Sequence, residues 1–93
     1  MSLLSALFGK LAPVQSESVP EPVAYKGFII RPAPFKTDGQ YQTAGTIERE
    51  VDGVRKEHRF IRADAFASLE DAVTFTVAKA QQMIDLQGNR MFG

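Results

Sequence analysis

The chain has no cysteine and only one histidine. The first absence excludes disulfides, thiolate chemistry and Cys-based zinc sites together, and the second excludes a His-rich metal site. There is no excess of charge of either sign: eleven basic residues face eleven acidic ones, for a formal net charge of zero. Non-specific phosphate binding rests on surplus positive charge, so any nucleic-acid role would need a local patch. No apolar run approaches the roughly 20 residues of a membrane-spanning helix. The opening stretch MSLLSALFGKLAPVQS is apolar, but it lacks a basic leading segment and Lys10 interrupts it. A secretory signal is therefore not expected, and a cytoplasmic location is. Gly-rich phosphate loops, EF-hands and zinc motifs do not occur, so no cofactor and no metal are expected.

What is present fits one small domain. Ninety-three residues, 44% of them hydrophobic and 24% charged, bury only about 60–65% of the surface that the unfolded chain exposes. Leu3, Leu4, Leu7, Phe8 and Leu11 fall on one stripe of a short N-terminal amphipathic helix. Ten residues are too few to hold a helix alone in water, so the stripe must dock on something. APVQSESVPEPV, rich in Pro, Ser and Glu, follows as a linker. Residues 1–24 are thus expected to form a helix and its tether, and residues 25–93 a β-β-β-α domain.

The expected architecture is α+β: a three-stranded antiparallel meander packed on one long C-terminal helix. YKGFIIRPAP, from Tyr25, reads as a strand closed by prolines, which cannot donate to a ladder. Asp38-Gly39 signals a turn. Two further runs, QYQTAGTIEREV and VRKEHRFIRA, flank Asp52-Gly53. Asp-Gly there predicts a two-residue hairpin turn, because both positions need positive φ. That turn fixes a register in which Val51 opposes Val54, Glu50 opposes Arg55, Ile47 opposes His58 and Gly45 opposes Phe60. The face of Ile47 and Phe60 should meet the helix; a one-residue slip would bury Glu48, Glu57 and Arg59 instead. Ser68 is placed to cap a helix whose face runs Leu69, Ala72, Val73, Thr76, Val77, Ala80, Met83, Ile84 and Gln87, with Gly88 ending it. Gly45 would let that helix approach closely, its alanines filling the gap.

HRFIRAD, His58–Asp64, concentrates reactive side chains. Glu57 points away from His58 on a strand, and no serine or cysteine nucleophile is placed beside it, so His58 is expected at the rim of the helix–sheet core. Arg49, Arg55, Lys56, Arg59 and Arg62 form the candidate nucleic-acid set. Glu48, Glu50, Asp52 and Glu57 lie among them, and the register pairs Glu50 with Arg55 and allows Glu48 to reach Arg59 diagonally. Exposed pairs of this kind contribute about 0–1 kcal/mol each. No aromatic residues interleave as stacking platforms. Glu70 and Asp71 complement the dipole of a helix start.

One helix covers one face of the sheet. The other would carry Ala44, Thr46 and Ile61, with Tyr25 and Ile29 from the first strand. Leu3, Leu4, Leu7, Phe8, Leu11, Thr46 and Ile61 are therefore the candidate partner-binding residues, whether the contact is within the chain or with a second one. With Lys10 the stripe's only charge, electrostatic attraction to a membrane surface is poor.

The order helix–linker–three strands–helix is also that of the double-stranded-RNA-binding domain, whose last helix opens with lysines where this chain has Glu70 and Asp71. A second likeness rests on residues rather than order. YKGFIIRPAP, GQYQTAGTIERE, HRFIRAD and AKAQQMIDLQG, spread over about residues 25–92, together resemble the small bacterial proteins of the HlyU transcriptional activator family. The resemblance implies a regulator of transcription with no enzymatic activity and no cofactor. Combined with the residue pattern, it leads to a non-enzymatic regulatory or adaptor module acting by surface contact. Direct DNA binding through the basic strands is the alternative.

Overall fold

The computed structural model describes residues 20–93. The N-terminal stripe and most of the linker lie outside them. At the centre of the sheet is a twelve-residue strand, β4 (Gln40–Val51), with β5 (Val54–Phe66) along one edge. Its other edge is shared end to end by β2 (Phe28–Pro32) and β3 (Phe35–Thr37), and β1 (Val23–Tyr25) pairs outside β2. All pairings are antiparallel. A single α-helix, α1 (Leu69–Gln87), packs across one face and continues into a 3-10 turn, Gly88–Phe92.

The sheet thus has five strands rather than three, for two local reasons. Lys26-Gly27 adopts positive φ at both positions (47° and 85°), as do Asp38-Gly39 (50° and 77°) and Asp52-Gly53 (53° and 78°). Each pair closes a two-residue hairpin of the kind that matches strand twist. The segment read as one strand from Tyr25 therefore folds back on itself, with Tyr25 opposite Phe28. Beyond it, Pro34 interrupts the edge without ending it. The Ala33 amide still donates to the Ala44 carbonyl at 2.8 Å, and pairing resumes at Phe35.

The β4–β5 register is the expected one: Val51 opposes Val54, Glu50 Arg55, Ile47 His58 and Gly45 Phe60. An irregularity between Gln42 and Ala44 shifts the remainder, so that Tyr41 faces Phe66. The core collects Phe28, Ile30, Ile47, Phe60, Ala80, Met83, Ile84 and Met91. Burial of each large apolar side chain contributes roughly 1.5–3 kcal/mol.

Helix α1 starts where its sequence dictates. The Ser68 hydroxyl accepts from the Asp71 amide at 3.0 Å, and Glu70 and Asp71 occupy the first turn. Ala72, Thr76, Ala80, Met83 and Ile84 face inward, whereas Gln87 is exposed, contrary to the expected stripe. The helix lies close to the sheet at Gly45, where a Cβ would sit 2.9 Å from the Arg31 carbonyl and 3.1 Å from Thr76 Cγ2. A threonine methyl, not an alanine, fills the gap.

Tyr25 also departs from expectation. It faces the helix, packed against the core, and its hydroxyl lies 3.0 Å from the Asp85 carboxylate, to which Lys26 Nζ donates at 2.8 Å. This cluster ties the β1–β2 hairpin to the helix. Its charges hold the Asp85 carboxyl below its ordinary pKa, the Lys26 hydrogen bond contributing most, followed by that from Tyr25.

Candidate functional site

The outer sheet face, opposite α1, carries no other element among the described residues. Its rows follow from the register. Ala33, Ala44 and Ile61 form one, Arg31, Thr46 and Arg59 the next, then Ile29, Glu48 and Glu57, and finally Glu50 and Arg55. Phe35, opposite Gln42, borders the first row.

The first row forms a shallow channel, with Ala33, Phe35, Ala44, Thr46, Arg59 and Ile61 in its lining. Ala44 is a buried part of the floor, while Phe35 (42% exposed) and Ile61 (61% exposed) stand as walls. Small side chains lie between two large apolar ones, with Thr46 and Arg59 adding polar surface to the lining.

Two rows along, Glu48 is buried. Register sets it directly against Glu57, a like-charge pairing that would be unfavourable if both carboxylates stood upright. Instead Glu48 Oε2 receives Arg31 Nε at 3.0 Å and Arg55 Nη2 at 2.7 Å. The two arginines lie on opposite neighbouring strands and converge on it, covering the carboxylate while their own side chains stay more than half exposed. Desolvation pushes the Glu48 carboxyl upward, but the hydrogen bonds from Arg31 and Arg55, with their charges, outweigh it and hold the pKa below its ordinary value. The expected diagonal from Glu48 to Arg59 is not formed, and Arg55 bypasses its register partner Glu50. Arg31, two residues upstream of Ala33, is the ligand that strand pairing alone did not single out.

The five basic candidates are not assembled into one surface. Arg49 lies on the helix side, its guanidinium 4.5 Å from the centroid of the Phe28 ring and hydrogen-bonded to Asn89 Oδ1 at 3.2 Å. It pins β4 to the 3-10 turn. Arg55 is engaged by Glu48. Lys56, opposite Arg49, and Arg59, opposite Thr46, project from opposite faces of β5 and are exposed, as is Arg62 in the irregular stretch. Those three form no salt bridge among the described residues.

Of the partner-binding candidates, Thr46 (half-buried) and Ile61 lie on the outer face in adjacent rows. Leu3, Leu4, Leu7, Phe8 and Leu11 fall outside the described residues. Phe35 is not among the expected site residues, because prolines are expected to close the strand before it. Asp38-Gly39 was the available signal, since a two-residue turn there pairs Thr37 with Gln40 and carries Phe35 into the sheet. His58 is half-buried opposite Ile47. Among the described residues no group of His, Asp or Glu is arranged to hold a metal ion, and no helix is long and apolar enough to cross a membrane.

Fold and site together define a small α+β module: an antiparallel sheet backed by one helix, with a shallow channel walled by Phe35 and Ile61 and a self-paired acid on its open face. The chain belongs to the family described as Transcriptional activator HlyU, whose model matches residues 2–92, and is thus similar to regulators of transcription. No curated protein and no solved structure matches it significantly.

Proposed function

We propose that this chain is a non-enzymatic regulatory or adaptor module that acts on transcription in the cytoplasm by contacting another protein surface. The outer sheet face, centred on Thr46, Ile61 and Phe35, is the contact region, with the Leu3, Leu4, Leu7, Phe8 and Leu11 stripe as its second apolar element. The observation that carries this reading is the pairing of two exposed large apolar side chains, Phe35 and Ile61, with arginines already committed within the chain. Arg31 and Arg55 are bound to Glu48, and Arg49 is bound to Phe28 and Asn89.

A groove reader of DNA presents a helix whose exposed face is rich in donors. The only α-helix described, α1, is packed against the sheet, and its charged residues are Glu70, Asp71, Lys79 and Asp85. Direct DNA binding through Lys56, Arg59 and Arg62 is the alternative. It has in its favour that those side chains are exposed and form no salt bridge among the described residues.

The test compares affinity capture from the native host by the wild-type chain and by Ile61→Asp. Ile61 is exposed, so the substitution should leave the melt unchanged while removing a specific captured protein. Capture that is indifferent to Ile61→Asp, or no specific protein captured by either chain, contradicts the reading.

A further inference from the structure

We propose that two copies of this chain associate edge to edge through β5, antiparallel about a two-fold axis at His58, joining their sheets into one. The inference goes beyond the reading of the outer face, because it concerns an edge of the sheet and leaves that face open in both copies.

The strand order pairs β5 with β4 alone among the described residues. The opposite side of the sheet ends in β1 and β3, three residues each, and short edge strands guard against unwanted pairing. β5 has no such protection by length, since it follows β4 without interruption from Val54 to Ile61. Two observations fix which backbone groups point outward. The two-residue Asp52-Gly53 turn makes Val51 and Val54 a hydrogen-bonded pair. The Ala33 amide donates to the Ala44 carbonyl, which turns Ala44 toward β2 and so Gly45 toward Phe60. Both give the same alternation, in which Arg55, Glu57, Arg59 and Ile61 aim N–H and C=O away from β4. Such an edge is a template for a further antiparallel strand.

Charge selects the occupant and the register. Glu57 stands opposite Glu48 within the chain, and neither Glu57 nor Arg59 forms a salt bridge among the described residues. A two-fold axis on Glu57 or on Arg59 would set that residue against its own copy, like charge on like. An axis on His58 instead sets Glu57 opposite Arg59 of the second copy, twice, and Arg55 opposite Ile61. These are the hydrogen-bonding positions, so charge and backbone agree. An axis at Lys56 shortens the ladder at the Asp52-Gly53 turn, and one at Phe60 runs it into the irregular stretch beyond Ile61.

The chain contains no cysteine, so single cysteines report the register directly. His58→Cys falls on the axis, where facing residues of a non-hydrogen-bonded pair stand about 4.5 Å apart at Cα, within reach of a disulfide. Lys56→Cys, on the same side of β5, would stand about 14 Å from its copy. On mild oxidation of the full chain, His58→Cys should form a covalent dimer about tenfold faster than Lys56→Cys. Equal rates, or no covalent dimer, overturn the proposal.

Charge exchange gives an independent readout by sedimentation. The wild-type chain should dimerise with rising concentration. Glu57→Arg turns both cross-strand pairs from attraction to repulsion and should weaken the dimer about tenfold. Adding Arg59→Glu to Glu57→Arg reverses the pairs and should recover it. A wild-type chain that stays monomeric at every concentration, or a double variant no tighter than the single one, overturns the proposal.

Discussion

Arg55 Nη2 lies 2.7 Å from Glu48 Oε2, although register sets Arg55 against Glu50. The diagonal is favoured because Arg31 reaches the same oxygen from the other side, so one buried carboxylate is satisfied by two guanidinium groups. Glu48→Gln keeps the shape and removes the charge. It should cost about 1–3 kcal/mol at neutral pH, measured as a lower urea midpoint; an unchanged midpoint would show the pair to be energetically idle.

The same carboxyl sets a pH dependence. Its folded pKa is lowered from 4.5, despite desolvation, because Arg31 and Arg55 favour the ionised form. Its contribution is therefore fully present above pH 4.5 and lost as the pH falls through the folded value. Asp85, lowered by Lys26 and Tyr25, acts in the same direction. Urea midpoints from pH 7 down to pH 3 should fall for wild type and fall less steeply for Glu48→Gln. Identical slopes would contradict the assignment.

Gly45→Ala should destabilise by about 1–3 kcal/mol, the range for overpacking a tight interior. The new Cβ meets the backbone carbonyl of Arg31 at 2.9 Å, and backbone yields less readily than a side-chain tip. Thermal unfolding checks this, and a melt at the wild-type temperature would mean that β2 and β4 give way easily at Gly45.

Thr76→Val should be neutral or stabilising, up to about 1 kcal/mol. Thr76 Oγ1 is buried with no hydrogen-bond partner, and replacing it with a methyl removes that cost while keeping the Cγ2 contact at Gly45. A clear loss of stability would show that the hydroxyl has a partner, such as a bound water.

Which parts could be read from the residues follows from how local their causes are. Asp52-Gly53 fixed the β4–β5 register because its two residues define one turn type, and Ser68 with the apolar spacing placed α1. Lys26-Gly27 gives no clear turn signal in the sequence, because lysine is an uncommon residue at positive φ. Pro34 suggests a stop because it offers no donor to the ladder, whereas the Ala33 amide keeps the pairing in step. Alternation alone puts Thr46 and Ile61 on the outer face, and the register agrees. The ion pairs were not, since the reach of Arg31 and Arg55 depends on three strands at once, and Arg49 turns instead to the Phe28 ring.

The central claim is that the basic residues are committed within the fold or dispersed, leaving contact to Phe35 and Ile61 on the outer face. It is tested most directly by titrating the full chain with duplex DNA at about 50 and 200 mM salt, where several phosphate contacts would give tight binding that weakens about 10³-fold. The account predicts no binding at the lower salt. Binding at 50 mM that collapses at 200 mM, and is lost in Arg59→Ala with Arg62→Ala, would contradict it.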